Sequence, residues 1–179
     1  MAKSLQENMY DNRIIVITSD MSSQTASNII FQIMEWANMA PQDEIKLYIA
    51  SVSYDYVNVL AIYDTLMSVK NPISAVAIGM VGGASLLLLA SANKGRRYIL
   101  SHTEVSIDQP YGIIGGGANQ QTEMDILAEE TTEQRKIFES LLAKHLGMEE
   151  AKVHEYAEED TSFSAMEAFK AGIIDAILE

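Results

Sequence analysis

Two periods organise the apolar positions of this chain. RIIVIT, from Arg13 to Thr18, is a β-branched run that predicts a strand. In SSQTASNIIFQIMEWAN the apolar residues recur at helical spacing, so Ala26, Ile29, Ile30, Ile33, Met34 and Ala37 share one helix face behind a serine cap. IKLYIA predicts a second strand, YVNVLAIYDTLMSV a second helix and SAVAIGM a third strand. GGASLLLLASAN predicts a short buried helix ended at Lys94-Gly95, where glycine can take the left-handed cap. This βαβαβα order implies right-handed crossovers and a mainly parallel sheet covered by helices. YIL and EVSI add two short strands. After the glycine-rich IIGGGANQQ a long polar helix runs from about Gln121 to His145. SAMEAFKAG closes the chain with a capping box, Ser164 and Glu167, and a stop at Gly172.

Composition narrows what such a fold can do. With 179 residues, 48% of them hydrophobic, and no linker-like tract, the chain suits one domain with a real core. A formal charge of -13 disfavours nucleic acid, whose phosphates would be repelled. The absence of cysteine removes disulfides and thiolate chemistry. The apolar stretch ASLLLLASA is far shorter than the roughly 20 residues that cross a bilayer, and the start, MAKSLQENMYDN, has no signal core. The expectation is a soluble, cytoplasmic protein that binds neither nucleic acid nor membrane. No metal or other cofactor is expected: His145 and His154 read as solvated, the acidic runs lack the pattern of a calcium loop, and no GK[ST] follows Gly115 to Gly117.

Several ordered segments together carry a resemblance: IAS followed by LAIYDTL, the AIGM and GA block, ANKGRRYILSH, IDQP, and FSAMEAFKAGIID. Over about Arg13 to Ile177 the chain resembles the ClpP family, the proteolytic subunit of the ATP-dependent Clp protease. That resemblance implies an α/β, crotonase-like fold in a single domain spanning 1–179. Its βαβαβα head would cover about 13–110 and 146–179, and a protruding strand-helix handle about 111–145.

The family's chemistry is a Ser-His-Asp triad, in which a hydroxyl attacks, an imidazole takes its proton and a carboxylate orients the imidazole. The resemblance puts Gly83 at the serine position and Asp108 at the histidine position, and it retains Asp160 as the third member. The turn that supplies oxyanion donors in the family carries Ser53 and Tyr54 in place of a glycine pair. The expectation drawn from these changes is a degenerate homologue that is not an enzyme. One alternative is a hydrolase with a displaced site, Ser85 with His102 and Asp108. Another is a crotonase-like acyl-CoA-binding protein. His102 otherwise reads as a structural turn residue.

Assembly is the remaining implied function. The resemblance implies heptameric rings made through heads and stacked in pairs through handles, formed with itself or with active ClpP subunits, as in ClpR-type paralogues. It also implies a pocket for a Clp-type AAA+ ATPase at Tyr48, Val76, Ile78, Tyr98 and Leu100, where residues two apart on each strand share a face. Lys46 departs from the aromatic some members use there. Ring stacking is assigned to Gly115, Gly116, Gly117, Arg135 and Lys136. Twelve residues precede Arg13, so gating loops at the axial pore are not expected.

Overall fold

A computed structural model describes residues 3–18, 21–109 and 121–179, with 121–128 by their backbone. The chain opens with α1 (Leu5–Asp11), a helix the apolar pattern does not signal; Ser4 caps it and Glu7 bonds back to the Ser4 amide. There follow β1 (Ile14–Ile17), α2 (Ser23–Met39), β2 (Ile45–Ile49), β3 (Val52–Ser53), α3 (Tyr56–Ser68), β4 (Ile73–Ala77), β5 (Met80–Gly83) and α4 (Ser85–Ala90). The second half holds β6 (Arg97–Leu100), β7 (Glu104–Ile107), α5 (Gln121–Leu146), α6 (Glu150–Glu158), β8 (Thr161–Ser164), α7 (Ala165–Lys170) and β9 (Ala176–Leu178).

One sheet has the order β1-β2-β4-β6-β9, with every pairing parallel; the other runs β3-β5-β7-β8, antiparallel only between β7 and β8. Three strands of the first sheet each run on, after two or three residues, into a strand of the second. β2 leads to β3, β4 to β5, and β6 to β7. The chain can change sheets after β4 because Gly79 sits at φ +65, a backbone region costly for other residues. Its amide donates to the Thr103 hydroxyl and its carbonyl accepts from the Glu104 amide, which ties this crossing to the next. The outcome is a mixed α/β fold in which the ends of β3, β5 and β7 lie side by side.

Period-2 patterning survives in the first sheet. The row Ile17, Ile49, Ala77, Ile99 is in register and buried, whereas the neighbouring row Val16, Tyr48, Val76, Tyr98, Ala176 lies on the opposite face. The helix pattern needs adjustment. On α2 the inward stripe is Ala26, Ile29, Ile33 and Trp36, while Met34 is 51% exposed. The helix expected from Gly82 begins only at Ser85, because Gly82 and Gly83 are drawn into β5 as partners of Val52 and Ser53. Leu86 to Leu89 on α4 are fully buried, each contributing about 2 kcal/mol of burial. Helix α5 spans Gln121 to Leu146, close to the expected run. The handle strand expected before it, with Gly115, Gly116 and Gly117, lies outside the described residues.

Candidate functional site

The ends of β3, β5 and β7 bring the expected cleft residues together. Ser53 pairs with Gly83, and the Ala84 amide donates to the Ser53 carbonyl at 2.7 Å. Just past β7, Asp108 is 8% exposed and points its carboxylate into the same place. Its Oδ2 accepts from the Gly83 amide at 3.1 Å, the Tyr54 hydroxyl at 3.2 Å and the Ser106 hydroxyl at 2.9 Å. Residues singled out separately in the sequence thus form one hydrogen-bonded cluster.

Gly83 is held where a side chain has no room. Its φ is +54, and a Cβ there would lie 2.4 Å from the Ser53 carbonyl oxygen and 3.1 Å from the Tyr54 ring. The first of these neighbours is backbone, which cannot step aside. Ser53 is itself buried, with its hydroxyl accepting from the Asp55 amide at 3.2 Å and the Met21 amide at 3.4 Å. It therefore braces the turn into α3 rather than facing an open cleft.

Asp160 stays at the rim. At φ +46 it accepts from the Gln109 amide at 3.3 Å, so it holds the residue next to Asp108. The displaced-site alternative is not assembled: Ser85 is fully buried with its hydroxyl 3.1 Å from that of Ser51, while His102 is exposed.

A further polar group was not foreseen. Tyr56 is 3% exposed, its hydroxyl has no hydrogen-bond partner among the described residues, and burial, followed by the nearby Asp108 charge, pushes its ionisation well above the ordinary range. It packs edge-on to Phe138 of α5 at 5.3 Å. The sequence signal was only a tyrosine at the start of a helix, indistinguishable from core.

Arg135 is committed within its own chain. It donates to Glu139 at 2.6 Å, to Glu158 at 2.5 Å and to Gln109 at 3.3 Å, joining α5 to α6 and to the end of β7. Lys136 is exposed and pairs with Glu133 one turn away. The histidines expected to be solvated are also engaged. His154 lies 2.9 Å from Glu139, and half-buried His145 bonds Tyr63 at 2.8 Å, with burial first and then Lys144 and Arg97 lowering its proton affinity.

The expected docking residues share one face of the five-stranded sheet, opposite the buried row, with Leu100 36% exposed and Val76 only 7%. Tyr48, Val76 and Tyr98 stand in one cross-strand row, and Ile78 and Leu100 continue it by alternation. The sequence reading missed that Val16 and Leu178, 42% and 37% exposed, flank this face. Strand alternation in IIVI and AIL carried that signal, but three- and four-residue strands make it faint.

These elements define an α/β protein of two interleaved sheets with a polar cluster where strand ends meet. A model of the Clp protease family matches residues 1–179, and the chain belongs to that family. Over 171 residues it is 33% identical to the ATP-dependent Clp protease proteolytic subunit 1 of Bifidobacterium longum (strain NCC 2705), covering 96% of this chain and 72% of that one. It is 32% identical over the same length to the protein of that name from Rhodococcus jostii (strain RHA1), covering 96% and 77%. Both relatives are named proteolytic subunits, which overturns the expectation that the chain is not an enzyme. That expectation rested on side-chain identity at a few positions, and such identities do not by themselves decide what a subunit contributes to proteolysis. Among the described residues, no helix is long and apolar enough to cross a membrane.

Proposed function

We propose that the chain is a ring-forming subunit of an ATP-dependent Clp protease, assembling with itself or with other proteolytic subunits in the cytoplasm. In this reading it scaffolds and modulates ATP-dependent proteolysis. Rings of seven stack in pairs through their handles, and a Clp-type ATPase docks on the outward face at Tyr48, Val76, Ile78, Tyr98 and Leu100. The observation that carries the reading is the family match along the whole chain. The exposed apolar residues on that sheet face, Leu100 with Val16 and Leu178 beside it, support the docking surface, since apolar side chains are costly to leave in water. The Tyr54, Asp108 and Gly83 cluster would then shape this subunit's part of the chamber wall.

The test is co-expression with a fully active proteolytic subunit from the same cell. Native mass spectrometry should find this chain in rings, and adding it should change the rate at which a Clp ATPase drives degradation of a folded substrate. A chain that stays monomeric in both settings sinks the proposal.

A further inference from the structure

β1 is the edge of the five-stranded sheet, and among the described residues no strand flanks its outer side. Which backbone groups it presents there follows from its bonds to β2. The Lys46 amide donates to the Arg13 carbonyl and the Ala50 amide to the Ile17 carbonyl. In a parallel ladder, alternate residues of a strand serve one neighbour. Arg13, Ile15 and Ile17 therefore face β2, and the N–H and C=O groups of Ile14 and Val16 point outward. A groove of about 400 Å³ lies along this edge, walled by Gln6 and Met9 of α1 on one side and Asn28 and Gln32 of α2 on the other. Three consecutive residues, Ile14 to Val16, line its floor. Consecutive side chains of a strand point to opposite faces, so a cavity touching all three runs along the edge rather than over one face.

The geometry points to β1 as a strand-addition site for an extended peptide of another protein, with an apolar residue beside Val16 and Lys or Arg at its flanks. Outward backbone groups give such a peptide its register, and the amide side chains of Gln6, Asn28 and Gln32 can bond its remaining polar groups. Charge selects the flanks. Glu7 and Asp11 line an adjoining cavity that shares Gln6, Tyr10 and Gln32, Glu35 lies against the Tyr10 hydroxyl, and the nearby cations, Lys3 and Arg13, are paired with Asp11 and Asp43. A second copy of the chain fits poorly: two acidic rims on chains of formal charge -13 would meet across an edge of only four residues.

The test uses the full chain in its assembled state and a fluorescent library of nine-residue peptides. These carry Lys or Arg at both ends, with β-branched and aromatic residues scanned through the centre. Retained peptides should lose tenfold or more in affinity when alternate central amides are N-methylated, and little when the intervening ones are. Val16→Pro removes an outward N–H that β2 does not use, so it should weaken peptide binding at least tenfold while the melting transition stays in place. Asn28→Lys, on the exposed side of α2, should weaken binding several-fold, less so at 1 M salt. If Val16→Pro does not fold, the N-methyl series and Asn28→Lys carry the decision. The proposal is overturned by a library without binders, by binding indifferent to N-methylation, or by photocrosslinks away from β1. Protection of the Ile14 and Val16 amides from hydrogen exchange by a second copy overturns it too.

Discussion

The Tyr54 hydroxyl donates to the Asp108 carboxylate at 3.2 Å, on the same oxygen that the Gly83 amide reaches at 3.1 Å. One carboxylate thereby fastens the ends of three strands that are far apart in sequence. Removing it should be felt as unsatisfied donors rather than as lost volume. Asp108→Ala should cost about 2 to 4 kcal/mol, since the Gly83 amide and Ser106 hydroxyl are left unpaired, and Asp108→Asn, which keeps an oxygen acceptor, clearly less. Urea midpoints at unchanged slope measure both. Equal losses for the two variants would mean that Asp108 is not held by these bonds.

Gly83 should not tolerate any side chain. Gly83→Ser and Gly83→Ala should each lose about 2 to 4 kcal/mol, from a left-handed φ and a Cβ pressed on the Ser53 carbonyl. Because backbone is the nearest obstacle, adding Tyr54→Gly should recover little. Full recovery in that double variant, read by thermal melts, would make the ring and not the carbonyl the obstruction.

Buried Arg97 and partly buried Asp175 form an ion pair with contacts of 2.9 and 2.5 Å. Burial pushes the Asp175 carboxyl up, but hydrogen bonds from Arg97 outweigh it and hold the group below its ordinary value of 3.8. A depressed carboxyl stabilises the fold above its unfolded value, and that contribution is lost as pH falls through the lower folded value. Asp175→Asn should flatten the acid limb of stability below about pH 4 and cost about 3 to 5 kcal/mol at neutral pH, by stranding the Arg97 charge. An unchanged acid limb refutes the assignment.

His145 should titrate below its ordinary 6.5, because burial, with Lys144 and Arg97 nearby, disfavours the imidazolium. Its Nε2 shares a hydrogen bond with the Tyr63 hydroxyl, which donates when that nitrogen carries no proton. Here the unfolded chain binds the proton more readily, so stability is full above pH 6.5 and declines as pH falls through the folded value. Proton NMR of the imidazole checks the direction, and His145→Phe should remove that decline. A titration above 6.5 contradicts the burial argument.

Arg135 and Lys136 should behave differently despite adjacency. Lys136→Glu loses an exposed pair of one turn, an effect of under about 1 kcal/mol. Arg135→Glu unties α5 from α6 and from Gln109, so amide exchange in Glu150–Glu158 should accelerate at least tenfold. Sedimentation alone would confuse that internal loosening with weaker ring stacking. Similar exchange in both variants would show that Arg135 is not the tie between the helices.

The alternation of strands and helices is legible along the chain, because short β-branched runs and helical apolar stripes are local signals. The sequence also supplied the family, since ordered motifs such as ANKGRRYILSH and FSAMEAFKAGIID are read without coordinates. The capping box at Ser164 and Glu167 was legible for the same reason, as its partners are three residues apart. Other features depend on contacts between distant segments. That Gly82 and Gly83 belong to a strand follows from Val52 and Ser53, about thirty residues earlier, and glycine's own propensity argues against a strand. Nor does the helix pattern around Arg135 reveal that its side chain bonds Glu158 of α6 and Gln109 after β7 as well as Glu139 one turn on. Tyr56 looked like core until its orphan hydroxyl and the nearby Asp108 charge were in place. Local chemistry writes the elements, but which donors meet which acceptors depends on chain crossings that bring distant residues to hydrogen-bond distance.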